Sequence, residues 1–174
     1  MKFRKLPYSV LENKRPHRIF ELVATHVGEQ VENRRSEPVQ SRLERIPMEF
    51  QVVYWLWRFC CEASLNGFEV LTLQSEGIYL PQIHASLEIV GATELVRRLE
   101  AAVPHARRAR GAEFNTLKDK SWFDQFAPNP AFPTLQSVDE GVYPIINGLT
   151  DQVFAFVKSN ARAFFGARTR NRPS

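Results

Sequence analysis

Apolar positions recur along most of this chain at the three- and four-residue spacing of a helix. Behind Pro16, which suits a first helical turn, Ile19, Phe20, Val23, Val27 and Val31 share one face. Pro47 then opens the stretch on which the rest is organised. At 100° per residue from Phe50, only Gln51, Arg58 and Glu62 fall in a polar stripe, bordered by Trp55. The remaining positions, Val52, Val53, Tyr54, Leu56, Trp57, Phe59, Cys60, Cys61 and Leu65, wrap the rest of the circumference in apolar surface. A helix apolar nearly all round is a buried central helix, expected over residues 47–66. Gly67 follows as a residue for which a positive φ carries no steric cost.

Further on, Phe68 and Leu71 predict a short amphipathic helix closed by Gly77, with Ile78, Tyr79 and Leu80 leading to Pro81. Ile83, Leu87 and Val90 give another helix, ended by Gly91, with His84 beside its apolar face. Leu95, Val96, Leu99, Ala102 and Val103 follow behind Thr93 as a candidate N-cap, with Glu94 in the first turn and Pro104 as the expected end. Residues 104–134 hold four prolines and read as a long loop. Within it, Trp122, Phe123 and Phe126 predict one turn pinned by aromatics. Ser137 with Glu140 fits a capping box, Gly141 and Pro144 keep that helix short, and Thr150-Asp151 starts the last helix, closed by Gly166. The strand candidates are confined to the arm around Phe3–Val10 and the residues near Ile78. The expected fold is mainly α, a single-domain bundle of about six to eight helices around the buried helix. Residues 1–15 form a basic arm, 16–166 the helical domain, 167–174 a disordered basic tail, and 33–41 a polar linker inside the domain.

Length and composition agree with this. A chain of 174 residues carries one sizeable core, and 23 Lys+Arg against 19 Asp+Glu leave a net charge of +4. That balance can attract nucleic acid or an acidic partner, although most charges are interspersed. The densest cluster is Arg97, Arg98, Arg107, Arg108 and Arg110. It reads either as a solvated helix end or as an anion or nucleic-acid site. Cys60 and Cys61 are adjacent and the only cysteines. Helical neighbours point about 100° apart, so both read as small core residues in a reducing compartment. No apolar run approaches a bilayer span, and the start of the chain lacks the apolar run of a secretory signal. A cytoplasmic protein without membrane contact is expected.

The chemistry-bearing motifs are missing. The chain has no phosphate loop, no GxGxxG, no HExxH, no CxxC and no GxSxG. His17 and His26 lie too far apart on their helix to share a metal. No catalytic residue, no metal and no cofactor is therefore assigned.

The weak motifs that remain are Leu65-Asn66-Gly67-Phe68, Gln74-Ser75-Glu76-Gly77, Ile89-Val90-Gly91-Ala92, Val138-Asp139 with Tyr143, and Phe156-Val157 with Asn160 before Phe164. Over roughly residues 45–166 they resemble a bacterial domain family of mostly unknown function, typified by a DNA-mimic protein that binds a transcription repressor. The resemblance implies a helical fold and a non-enzymatic regulatory role in contact with another protein. The family's paired-glycine corner keeps one glycine here, Gly67, with Asn66 in place of the first. Mimicry of DNA demands a strongly acidic surface, which a chain at +4 does not have.

Three functions follow as expectations. The first is a non-enzymatic protein-interaction or regulatory module of bacterial origin, contacting its partner through Asn66, Gly67, Glu69, Gln74 and Tyr79. The second is a nucleic-acid binder using the Arg97–Arg110 cluster and the basic termini. The third is an enzyme with an unrecognised site.

Overall fold

The computed structural model of the chain describes residues 3–32, 39–73, 79–110 and 120–166. Ten helices form among these residues, and the one pairing of extended backbone is an isolated parallel bridge between Leu6 and Phe165. The chain is mainly helical, as the spacing of its apolar residues predicts. It divides into two compact units, one of residues 1–57 and 150–174, the other of residues 58–149.

The first unit holds α1 (Ser9–Asn13), α2 (Pro16–Glu32), α3 (Val39–Leu43) and the first half of α4 (Met48–Leu73). It also holds the second half of α9 (Val142–Ser159) and α10 (Ala161–Phe164). Its core includes the stripe of α2 read from the sequence, Ile19, Phe20, Val23, Val27 and Val31, all buried, together with Phe50, Val53, Leu56, Val153 and Val157. Five successive residues of α4, Val52 to Leu56, are buried, so the helix is enclosed there on every side. Phe3 packs edge-on to Phe50 at 4.5 Å, and Phe50 lies 4.7 Å from Phe164. The amino-terminal arm is thus docked by its apolar residues, and Leu6 N–H donates to the Phe164 carbonyl at 2.9 Å.

The second unit holds the remainder of α4, then α5 (Leu80–Ile89), α6 (Thr93–Arg110), α7 (Lys120–Asp124), α8 (Leu135–Asp139) and the start of α9. Phe59, Phe68, Leu71, Leu87, Leu99 and Val138 are buried in its core. Helix α6 packs on α5 and on α8.

Several local expectations change. The buried helix expected over 47–66 does not stop at Gly67. The backbone bends there, with φ 72° and ψ −175°, and then continues helical to Leu73. Its open stripe is wider than the angular count allows, because Trp57 is half-exposed and Cys61 exposed rather than core. Trp57 still packs edge-on to Phe20 at 5.2 Å. Pro104 does not end α6. Its missing N–H and ring clash disfavour a helix interior, but burial of Ala101, Ala102, Val103 and Ala106 carries the helix through to Arg110. The capping box sits three residues earlier than expected: Thr134 is the N-cap and Ser137 its reciprocal partner. The last long helix begins at Val142, not Thr150, with Pro144 in its first turn, where no intrahelical N–H bond is lost. Residues 39–41 of the expected linker are helical, as the start of α3 (Val39–Leu43), while its residues 33–38 lie outside the described residues. So do the Gly77 break, residues 111–119 of the long loop and the tail at 167–174.

Candidate functional site

The Gly67 corner is built by three elements of the second unit. Its φ and ψ fall in a region that essentially only glycine occupies. At the bend the Phe68 N–H donates to the Asp139 carboxylate, Oδ1 accepting at 2.7 Å. That carboxylate fills the space over Gly67 so closely that a Cβ there would stand 2.6 Å from Oδ2. On the other side of the bend, the Tyr143 hydroxyl donates to the Ser64 carbonyl at 2.6 Å. Tyr143 is nonetheless 56% exposed, one of the exposed large apolar residues of the chain. The corner is therefore a fixed turn with an amphipathic ring projecting beside it.

Helix α8, which supplies Asp139, is itself fastened from α6. The Arg98 guanidinium, whose side chain is only 11% exposed, pairs with Glu94 at 2.9 Å. It also donates to the carbonyls of Val138 and Glu140 at the end of α8, the latter at 2.8 Å. A cation at the carbonyl end of a helix satisfies acceptors that have no intrahelical donor. Arg98 thus positions the carboxylate that braces the corner.

Of the sequence-predicted contact residues, Gly67 is the bend, with Asn66 and Glu69 beside it in the backbone of α4. Tyr79 is half-buried at the N-cap of α5, and Gln74 lies outside the described residues. The structure adds Asp139 and Tyr143. No spacing rule could have joined them to Gly67, since the Phe68–Asp139 bond spans 71 positions. The only signal was that both sat in a motif of the family resemblance.

The arginine cluster of α6 is not one open basic face. Arg97 pairs with Glu94 at 2.8 Å and lies over the Phe132 ring at 4.6 Å. Arg107 pairs with Asp124 at 2.9 Å and donates to the Phe123 carbonyl at 3.2 Å. Arg108 is exposed, and Arg110 is the last residue of the helix. The hydrogen bond from Arg97 is the main cause that holds the Glu94 carboxyl below its ordinary range, with Arg98 adding to it. Three of the five arginines are thus committed to folding the second unit, two of them by fastening the segments around α7 and α8.

His84 is buried, its Nε2 2.9 Å from Glu100 Oε1, its ring 5.5 Å from Trp122 and 5.7 Å from Phe126. It pins the aromatic turn of α7, as Trp122 and Phe126 themselves do across 4.8 Å. Nearby, His105 Nε2 donates to the Phe132 carbonyl at 2.9 Å. Among the described residues, no three His, Cys, Asp or Glu side chains are placed to hold a metal ion. Burial pushes the Cys60 thiol up to about 12, with Cys61 contributing, and raises Cys61 as well. A thiol so far above neutrality carries almost no thiolate, the form that acts as nucleophile. No described helix is long and apolar enough to cross a membrane.

Comparison with family models, with curated proteins and with solved structures found no match.

Proposed function

We propose that this chain is a non-enzymatic protein-interaction module, regulatory in role, whose recognition surface is the Gly67 corner with Tyr143. The observation that carries this reading is the exposed Tyr143 ring held on a turn that is braced from two sides. Tyrosine offers large apolar area with a polar tip at low entropic cost, which is why it anchors protein interfaces. A turn fixed by Asp139 and by the Tyr143–Ser64 bond contributes preorganisation, so little ordering remains to be done on binding.

Two further observations favour it over the alternatives. The arginines Arg97, Arg98 and Arg107 are engaged with carboxylates and carbonyls, which weakens α6 as a face for nucleic-acid phosphates. Among the described residues the perturbed groups are a protonated thiol pair and the exposed Glu94–Arg97 pair, none of which serves as nucleophile or base at neutral pH. The corner and the 138–143 segment are also the stretches that resemble the bacterial family described above, whose best-known member binds another protein. A bacterial cytoplasmic setting belongs to the same proposal and accords with two cysteines that are both free.

The test is quantitative affinity capture with the intact chain and with Tyr143→Ser as baits, at two salt concentrations. A protein retained by the intact chain and depleted at least tenfold by Tyr143→Ser is the expected result. Equal recovery on both baits removes the corner from the interface.

A further inference from the structure

A different surface lies in the first unit. A groove with a cavity volume of about 940 Å³ opens where the amino-terminal arm meets the end of α9 and α10. Three cationic side chains line it, Lys5, Lys158 and Arg162, against a single carboxylate, Glu49. All three cations are exposed. Lys5 is held in place, its Nζ donating to the Arg162 carbonyl at 2.5 Å, and Lys158 lies over the Phe154 ring at 5.3 Å. Tyr8 lines the same groove, its ring 6.1 Å from that of Phe165.

The topology explains why charge gathers there. The Leu6–Phe165 bridge and the Gly166 N–H bond to the Leu6 carbonyl at 2.9 Å hold the segment around Leu6 beside the residues that follow α10, which brings Lys5 next to Lys158 and Arg162. Arg97, Arg98 and Arg107 of α6 are paired by folding, whereas Lys5, Lys158 and Arg162 line one groove.

We infer that this groove binds the backbone of a single-stranded nucleic acid. Its volume falls in the range of ligand sites, roughly 300–1,000 Å³. A concave surface cannot enter a duplex groove, which is read by a protruding helix or ribbon, but it can take a strand into itself. Fixed cations along the walls suit successive phosphates, and an aromatic ring among them suits sequence-tolerant stacking of a base. This surface is independent of the Gly67 corner and of the protein partner proposed for it.

Fluorescence anisotropy of a labelled twelve-nucleotide oligouridine, titrated with the full chain, tests the inference. Saturable binding that weakens by roughly 20-fold between 50 and 200 mM salt is expected if about three phosphates are neutralised on a single strand. The double variant Lys158→Glu, Arg162→Glu changes exposed residues and should keep the helical circular dichroism spectrum. It should lose at least tenfold in affinity, while Arg108→Ala on α6 stays within twofold. Absence of binding at 50 mM salt overturns the inference, as does unchanged binding by a folded double variant. A labelled oligoglutamate of the same length binding as tightly as the oligouridine also overturns it, because the groove would then be a site for acidic peptide.

Discussion

Gly67 shows at residue scale how backbone and side chain specify one another. Its φ of 72° and ψ of −175° are open to glycine and strained for any other residue. Asp139 then occupies the space a side chain would need. Gly67→Ala meets both penalties and is expected to destabilise the chain by about 2–4 kcal/mol, combining backbone strain with loss of the part-buried bond between Phe68 and Asp139. Gly148 provides the contrast. It lies within α9 with open space around its Cα, so Gly148→Ala should stabilise by about 0.5–1 kcal/mol through helix propensity. Urea denaturation of both variants checks the pair, and a Gly67→Ala midpoint equal to that of the parent would show the bend to be tolerant. The sequence signals a positive φ at Gly67 and it is there. It does not signal Asp139, whose contact depends on folding across 71 positions.

The long elements were legible because their apolar stripes are long. The α2 face from Ile19 to Val31 is buried as read, and α4 is the buried helix its circumference predicts. The misplaced boundaries share one cause. Pro104, Pro144 and Ser137 are local punctuation, and tertiary burial overrode the first while the geometry of a first turn accommodated the second. For Ser137, the N-cap side chain is Thr134, which forms the reciprocal box one turn earlier with a serine, not a Glu or Gln, three residues on. Cys61 and Trp57 were misread because α4 is enclosed on all sides only from Val52 to Leu56. The arginines of α6 illustrate the limit of charge counting, since Glu94, Asp124 and the carbonyls of α8 are invisible to a cluster read along the sequence. Arg98→Ala should cost about 2–3 kcal/mol, because it leaves carbonyls without a charged donor, whereas Arg97→Ala, at the surface, should leave the urea midpoint nearly unchanged. Glu94 is more acidic in the folded chain than in the unfolded one. Its stabilising contribution is therefore complete above its ordinary value of 4.5 and is lost as pH falls through its lower folded value. That loss should stay below about 1 kcal/mol because the pair is largely exposed. Urea midpoints measured between pH 3 and pH 6 should be less acid-sensitive once Glu94→Gln removes the titrating group.

For the whole molecule, the net charge of +4 is distributed in a way the sum conceals. In the second unit, Arg97, Arg98 and Arg107 pair with acids and carbonyls and so become structural. In the first, Lys5, Lys158 and Arg162 face a groove with one carboxylate. The fold class was readable because periodicity is a property of every long helix. The proposed recognition surface was readable only in part, since Gly67 was marked by its residue type while Asp139 and Tyr143 were brought to it by topology. On the proposed function, the Gly67 corner meets another protein through Tyr143. The most direct measurement of that contact is photo-crosslinking in cells, with a benzophenone amino acid substituted for Tyr143 in one strain and for Arg108 in another. A discrete protein adduct at position 143, with none at 108, is the expected result; adducts at 108 alone, or none at either position, would contradict it.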